Sequence, residues 1–208
     1  CVFTGDPGAG KTTLLRYLTL KAANGQLHNL PDFPIYIELN HFASSGYHDL
    51  LDFISTRWDD RYGFPKGDAR SCIEEHLKEG KALLLLDALD ETVIGNSIDT
   101  AEHSYQRISD AITELAARYH QSAIVVTVRK ASYLKHNRLS GFTELELVDF
   151  RPEDMDRFMD NWFLNSTEPG APTSARDLKA KLSRNVRLQA LAANPLLMTL
   201  LLSFTEIR

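Results

Sequence analysis

The sequence predicts an α/β domain in which helices cover both faces of a doubly wound, five-stranded parallel sheet, followed by a small helical domain. A glycine-rich stretch at Gly5–Thr13 lies between a β-rich segment and a helical pattern. An unbroken apolar run at Lys81–Asp87 is typical of a strand that is buried on both faces. Strand and helix patterns alternate as far as residue 150, which is the order expected for a parallel sheet with helical crossovers.

The glycine-rich stretch reads Gly-Asp-Pro-Gly-Ala-Gly-Lys-Thr-Thr and fits the phosphate-loop pattern G-x-x-x-x-G-K-[ST]. Glycines suit a loop whose backbone approaches phosphate oxygens closely. We expect Lys11 to contact the β- and γ-phosphates and the Thr12 hydroxyl to bind Mg²⁺. A glycine turn before an ordinary helix is the alternative, but the flanking strand and helix favour the phosphate loop. The predicted nucleotide contacts are Gly5, Asp6, Pro7, Gly8, Ala9, Gly10, Lys11, Thr12 and Thr13.

The remaining elements follow from apolar periodicity and turn residues. Strands are predicted at residues 1–4, 34–39, 81–87, 122–129 and 144–147, the last alternating like a half-exposed edge strand. A first helix should end near residues 24–25, where glycine can cap it. Further helices are predicted at 50–58, from an Asp68 cap to residue 80, and at 105–119, while 40–46 is predicted as a polar connection.

Acidic residues cluster after the apolar strand, where ligands bind in open α/β sheets. Asp87 ends the strand, and Asp90 and Glu91 follow it. Phosphoryl transfer needs Mg²⁺ ligands and an acid that orients water. We predict that Asp87 serves Mg²⁺, directly or through a water, and that Glu91, with Asp90 as second choice, polarises the attacking water. The alternative is that these carboxylates only cap the exit loop.

Arg129 ends the next predicted strand. It would reach the γ-phosphate as a sensor if its strand lies between the strands that carry Gly5 and Asp87, and Thr127 would share its face. A solvated charge at a strand end is the alternative.

A domain boundary is predicted near residue 150, which gives an N-terminally truncated nucleotide-binding domain at 1–150 and an incomplete helical domain at 151–208. Pro152 suits the first turn of a helix. Residues 166–174 hold two prolines and a glycine and are predicted as a flexible loop. Two more helices are predicted, at 178–191 and 195–204. Because the chain begins inside a strand, we expect it to be part of a longer protein.

Composition narrows the class of protein. The chain has 208 residues, 43% of them hydrophobic, and a net charge of −5. This balance predicts a globular protein and argues against a nucleic-acid partner, which needs a basic face. The apolar run at 188–204 is too interrupted for a membrane span, and a buried helix pair is expected instead. The two cysteines have no metal or redox spacing, which fits a reducing, cytoplasmic setting.

Three segments together resemble the NACHT family of STAND signalling ATPases, which are P-loop NTPases. They are the phosphate loop, Leu-Leu-Leu-Leu-Asp-Ala-Leu-Asp-Glu at Leu83–Glu91, and Val-Val-Thr-Val-Arg at Val125–Arg129. In that family a small residue and an acidic pair follow the metal-binding aspartate, as Ala88, Asp90 and Glu91 do here. This sequence departs from the family at one position. Family members commonly have a proline directly after the arginine, whereas Arg129 is followed by Lys130.

The resemblance extends into the second half of the chain. Residues 142–163 look like the family's last core strand and following helix. The Asn-Pro-Leu-Leu segment at Asn194–Leu197 is similar to a helical-domain motif whose proline packs near the adenine base, which makes Pro195 a candidate base contact. The alternative for Pro195 is a first-turn proline after an asparagine cap, which needs no ligand.

The resemblance implies a switch that binds ATP or ADP with Mg²⁺ and hydrolyses ATP slowly, and that forms a homo-oligomer when ATP is bound. Sensor and effector domains would lie outside this sequence, and the family suggests defence or stress signalling in the cytoplasm. No nucleic-acid or membrane partner is predicted. The alternatives are a nucleic-acid motor or AAA-like remodeller with continuous hydrolysis, and a scaffold with permanently bound ADP. A small-molecule kinase is the weakest alternative, because no arginine-rich lid is visible.

Overall fold

The computed structural model describes residues 1–92, 98–165 and 175–206. Contacts between Cα atoms divide the chain into two units. The first unit comprises Cys1–Gly5 and Lys11–Glu146, and the second comprises Asp6–Gly10 and Leu147–Arg208. The domain boundary near residue 150 stays a prediction.

The first unit is built on a five-stranded sheet, as predicted. Its strands are β1 (Val2–Gly5), β2 (Phe33–Glu38), β3 (Ala82–Asp87), β4 (Ala123–Arg129) and β5 (Glu144–Leu147). Their spatial order is β2-β3-β4-β1-β5, and the β2–β3, β3–β4 and β4–β1 pairs are parallel. This order places β5 at an edge, as predicted. The predicted alternation of exposed and buried residues is wrong, because Leu145 is exposed along with Glu144 and Glu146, and only Leu147 is partly buried.

Strand β3 shows why an unalternated leucine run forms the centre of this sheet. All six of its residues are buried. Leu83 and Leu85 belong to a cluster with Leu15 of the first helix on one face. Leu84 and Leu86 belong to a larger cluster on the opposite face. Successive strand residues point to opposite faces, so a strand that is covered on both sides needs apolar residues at every position.

Helices and one short 3₁₀ turn connect the strands. They are α1 (Lys11–Ala23), α2 (Leu39–Ser44), α3 (Leu50–Tyr62), α4 (Asp68–Lys78), the 3₁₀ turn Leu89–Thr92, α5 (Ile98–Arg118) and α6 (Lys130–Lys135). The glycine stop of α1 is confirmed, because Gly25 has a φ of +62°.

Two predictions for the first unit are wrong. Residues predicted as a polar connection form helix α2, because Leu39 and Phe42 are fully buried and hold it against the core. Asp68 is not a cap: the N-cap of α4 is Gly67, and the Asp59 carboxylate accepts hydrogen bonds from the N–H groups of Gly67 and Ala69 instead. That cap comes from the preceding helix, which local sequence does not reveal.

The helices of the second unit are α7 (Pro152–Asn165), α8 (Ala175–Ser183), α9 (Val186–Ala192) and α10 (Pro195–Glu206). Helix α7 begins at Pro152, as predicted. Their core contains Met155, Met159, Met198 and Leu202. The predicted loop at 166–174 lies outside the described residues.

The single helix predicted at 178–191 is wrong, because the structure breaks it into α8 and α9. Asn185 caps α9, and its side-chain oxygen accepts hydrogen bonds from the N–H groups of Arg187 and Leu188. The predicted burial of the final helices holds on one face only: Met198 and Leu202 are buried, whereas Leu196 is exposed. Within the described ranges no single helix is long and apolar enough to cross a membrane. Helices α9 and α10 pass that test only as a pair, and they are bent by 113°.

Candidate functional site

In the first unit, the carboxyl ends of three neighbouring strands bring predicted site residues to one edge of the sheet. Strand β4 lies between β3 and β1, which is the order that the sensor prediction for Arg129 required. Gly5 is paired with Arg129 across the β1–β4 ladder, and Asp87 is paired with Glu38 across the β2–β3 ladder. The start of the phosphate loop therefore shares an edge with Asp87 and Arg129.

The Asp87 carboxylate is buried, with 3% exposure, and is held from two sides. The Thr127 hydroxyl donates to Oδ1, and the Tyr36 hydroxyl donates to Oδ2 over 2.9 Å. Thr127 in turn accepts the N–H of Ala88 over 2.9 Å. An ionised carboxylate has about four lone-pair sites, so two acceptor positions remain. Asp87 is thus oriented and can still ligate a cation or a coordinated water.

Tyr36 acts on Asp87 as a neutral donor. Burial raises the pKa of the Tyr36 hydroxyl, and its hydrogen bond to Asp87 raises that pKa further. The phenol therefore keeps its proton at neutral pH. Tyr36 was not predicted as a site residue, because its role depends on β2 and β3 being neighbours in the sheet.

The two acids of the predicted pair have different surroundings. Asp90 accepts the backbone N–H of Arg129 over 2.8 Å at Oδ1, and its Oδ2 lies 3.0 Å from Arg129 Nε. Its side chain is only 7% exposed. Glu91 contacts Arg129 Nη2 at 3.4 Å and is 48% exposed. Asp90 thus fixes the end of β4, whereas the Glu91 carboxylate is the more accessible acid.

Ala88 has a φ of +59°, the only such value among non-glycine residues in the described part of the chain. Left-handed backbone costs an L-residue about 1–2 kcal/mol. A β-branched residue would cost more there, because its Cβ substituents crowd the backbone further. The turn carries the chain from Asp87 into the 3₁₀ turn, where Glu91 N–H donates to Ala88 O over 3.0 Å. This conformation explains the small residue between Asp87 and the acidic pair.

Helix α1 begins at Lys11, as the phosphate-loop pattern requires. The Lys11 ammonium donates to Gly5 O over 2.8 Å. In the first turn of an α-helix such as α1, N–H groups, here those of Thr12 and Thr13, have no acceptor within the helix, and such groups suit an anion. No group of three or more His, Cys, Asp or Glu side chains that could hold a metal occurs in the described ranges. The donors fit Mg²⁺ nevertheless, since Mg²⁺ is commonly held by one or two protein oxygens plus phosphate.

In the second unit, residues Asp6–Gly10 pack on the start of α10. Gly8 and Gly10 have φ values of +83° and +90°. A Cβ on Gly8 would lie 2.6 Å from Asn194 Oδ1, whereas a Cβ on Gly10 would meet nothing within 4 Å. The Asn194 amide donates to Pro7 O over 3.0 Å, and Leu196 N–H donates to Gly8 O over 3.2 Å. The positive φ favours glycine at both positions, and at Gly8 the close approach of Asn194 also leaves no room for a side chain.

Pro195 occupies the first position of α10, and Asn194 caps that helix by accepting the N–H groups of Leu196 and Leu197. A proline at the first position of a helix is explained by helix geometry alone, so this arrangement does not require a ligand. The adenine contact of Pro195 stays a prediction. The sequence indicates Asn194 as a helix cap, but its hydrogen bond to Pro7 O is not predicted by local pattern, because the two residues are far apart in sequence.

Replacing Asp87 with asparagine should weaken Mg²⁺ binding in the presence of nucleotide by about 10- to 100-fold. An amide has less negative charge, and its NH₂ group cannot accept the hydroxyl proton of Thr127 or Tyr36. Nucleotide affinity titrated against Mg²⁺ concentration measures this effect. Tyr36→Phe, which keeps the carboxylate, should shift the Mg²⁺ dependence less. Equal Mg²⁺ dependence in Asp87→Asn and the parent would refute the metal assignment.

Comparison with known proteins gives the family and the fold. The model of the NACHT domain family matches residues 1–166. Among solved structures, the ORC1 protein of Aeropyrum pernix, solved in complex with DNA, has 16% identity over 89% of this chain and a TM-score of 0.50. A STAND protein of Pyrococcus horikoshii with a tetratricopeptide repeat sensor has 19% identity over 93% and a TM-score of 0.39. This chain spans 49% and 25% of those two chains. No significant match was found among curated proteins.

Proposed function

Since the chain belongs to the NACHT domain family of P-loop NTPases, we propose that it is an ATP-binding switch whose nucleotide state controls oligomerisation in a signalling protein. One observation supports this proposal most. The buried Asp87 carboxylate is oriented by Thr127 and Tyr36 at the sheet edge where the phosphate loop begins. A carboxylate that served only to cap a turn would not need donors from two neighbouring strands.

Different residues bind the phosphates, the metal ion and the base of the nucleotide. The loop N–H groups and the Lys11 ammonium bind the phosphates, because they supply fixed dipoles and a point charge. The Thr12 hydroxyl and Asp87 hold the metal. When bound, Mg²⁺ neutralises charge on the phosphate oxygens. Pro195 contacts the adenine base in this proposal.

Glu91, Asp90 and Arg129 have different roles in hydrolysis. Glu91 orients and polarises the attacking water, since its carboxylate is the more exposed of the pair. Asp90 holds Arg129 through both its backbone N–H and its guanidinium. Arg129 senses the γ-phosphate by exchanging its long contact with Glu91 for a phosphate oxygen. Family analogy is the only support for the signalling output and for a cytoplasmic location.

The proposal is tested by measuring the binding and exchange of ATP and ADP together with particle mass. We expect Mg²⁺-dependent binding of both nucleotides, slow hydrolysis, and a larger particle with a non-hydrolysable ATP analogue than with ADP. Equal particle mass in the two states would refute control of oligomerisation. Hydrolysis stimulated by DNA or RNA would favour a motor, and ADP that copurifies and does not exchange would favour a scaffold.

Glu91→Gln should leave ATP affinity unchanged and slow hydrolysis by about 100-fold, because an amide cannot accept the proton of the attacking water. Single-turnover hydrolysis of radiolabelled ATP measures the step directly. Asp90→Asn is the matched variant and should slow the step less, since Asp90 acts through Arg129. If Glu91→Gln hydrolyses ATP as fast as the parent and Asp90→Asn does not, the role belongs to Asp90.

A further inference from the structure

The side chain of Asn194 makes two kinds of contact at once within the second unit. Its oxygen accepts the N–H groups of Leu196 and Leu197 over 3.1 and 3.3 Å and so caps α10. Its amide NH₂ donates to the carbonyl oxygen of Pro7 over 3.0 Å. The oxygen and nitrogen positions follow from these partners, because the backbone N–H groups can only donate and the Pro7 carbonyl can only accept.

A second hydrogen bond holds the next peptide of the loop. Leu196 N–H, at the start of α10, donates to Gly8 O over 3.2 Å. Two successive carbonyls, those of Pro7 and Gly8, therefore point toward the start of this helix. The described residues contain no cis peptide bond.

The direction of these carbonyls sets the direction of two N–H groups. In a trans peptide the C=O and the following N–H point in opposite directions. The N–H groups of Gly8 and Ala9 must then point away from α10 and into the loop. The N–H of Ala9 does so, since it donates to Asp6 O over 3.1 Å within the loop. The Ala9 N–H is thus used within the loop, whereas an inward N–H such as that of Gly8 is the kind of donor that binds phosphate oxygens in such a loop.

We propose that Asn194 is a positioning residue for nucleotide binding: its hydrogen bond to Pro7 O turns the Pro7–Gly8 peptide so that the Gly8 N–H faces the phosphates. This assignment rests on the proposed function, because it concerns the same phosphate loop. Movement of α10 away from residues 6–10 would release both carbonyls and let the peptides rotate. The position of α10 therefore affects nucleotide affinity through the loop peptides, and Asn194 itself does not contact the nucleotide.

The choice of asparagine supports this role. Aspartate and serine cap helices about as well as asparagine does. Ionised aspartate has no donor, and serine must donate and accept through one hydroxyl oxygen, whereas asparagine has an acceptor for the helix and a donor for the loop on two separate atoms. Asn185 provides an internal comparison, because it caps α9 in the same unit through the N–H groups of Arg187 and Leu188.

The experiment compares the parent protein with Asn194→Ser and Asn194→Asp. Both variants keep a cap oxygen and lose the amide donor, so the thermal unfolding midpoint should stay close to that of the parent. ADP and ATP labelled with a fluorophore should dissociate roughly three- to tenfold faster, which corresponds to the loss of one hydrogen bond. The serine variant is decisive, because aspartate also adds a negative charge near the phosphates, an effect that salt would screen.

The matched control is Asn185→Ser, which changes a cap of the same type and should leave nucleotide dissociation unchanged. Parent-like dissociation from both Asn194 variants would overturn the positioning role alone. An equal acceleration in Asn185→Ser would also overturn it, since the effect would then come from helix capping in general. A parent protein that binds neither ATP nor ADP would overturn the proposed function and this role with it.

Discussion

Lys11→Ala is expected to reduce the affinity for ATP and ADP by more than about 100-fold. A hydrogen bond to a charged group contributes roughly 1.5–3 kcal/mol, and an ammonium that serves both the β- and γ-phosphates makes at least two. The structure places Lys11 Nζ 2.8 Å from Gly5 O, so the ammonium already lies beside the last residue of β1, where the phosphate-loop pattern starts. Isothermal titration with ATP and with ADP measures the loss.

The control for this prediction is Lys21→Ala in the same helix. Lys21 lies in the last turn of α1, at the opposite end of the helix from Lys11, and donates to Gln26 Oε1 over 2.8 Å. Its replacement removes one positive charge and should leave nucleotide affinity unchanged. Alanine favours helix at both positions, so neither change should unfold α1. Tight ATP binding by Lys11→Ala would remove the phosphate-loop assignment.

Gly8→Ala is expected to destabilise the nucleotide-free protein by roughly 2–5 kcal/mol. Part of the effect is backbone strain, since a residue with positive φ costs about 1–2 kcal/mol unless it is glycine. The rest is overpacking, typically about 1–3 kcal/mol, because the added Cβ would lie 2.6 Å from Asn194 Oδ1 and 3.0 Å from Leu196 Cβ. Urea denaturation without nucleotide measures the change in the free energy of unfolding.

Gly10→Ala is the matched variant for this effect. Gly10 also has a positive φ, but its added Cβ would meet nothing within 4 Å. It should lose only the backbone term, about 1–2 kcal/mol. Adding Asn194→Ala to Gly8→Ala should recover part of the loss, since the nearest obstructing atom is removed. Equal destabilisation by the two glycine variants would contradict the packing of the loop against α10.

Local pattern was sufficient for the central elements of the sheet. The leucine run of β3 predicted burial on both faces, and the structure assigns Leu83 and Leu84 to clusters on opposite faces. The glycine stop of α1 and the proline start of α7 were also predicted, because each depends on the backbone preference of one residue. Helix α2 was missed because burial of Leu39 and Phe42 by distant residues overrides a polar local composition.

The candidate site was predicted in part. Asp87, Asp90, Glu91 and Arg129 were expected near one sheet edge, and the roles assigned to them stay predictions. The sequence pattern could not show that Asp90 is buried and Glu91 exposed. The contacts of both acids with Arg129 depend on the pairing of β3 with β4. The hydroxyl of Tyr36 lies 51 residues from Asp87 in sequence and became a neighbour only through strand order.

The sequence by itself determined the phosphate-loop pattern, the strand and helix alternation and the positions of the charged residues, because these depend on residue type and spacing. Tertiary structure alone decided which atoms meet: Tyr36 and Thr127 on Asp87, Arg129 on Asp90, and Asn194 on Pro7. The physical reason is that a hydrogen bond requires donor and acceptor to lie about 3 Å apart. Between residues far apart in sequence, that distance is set by strand order and helix packing.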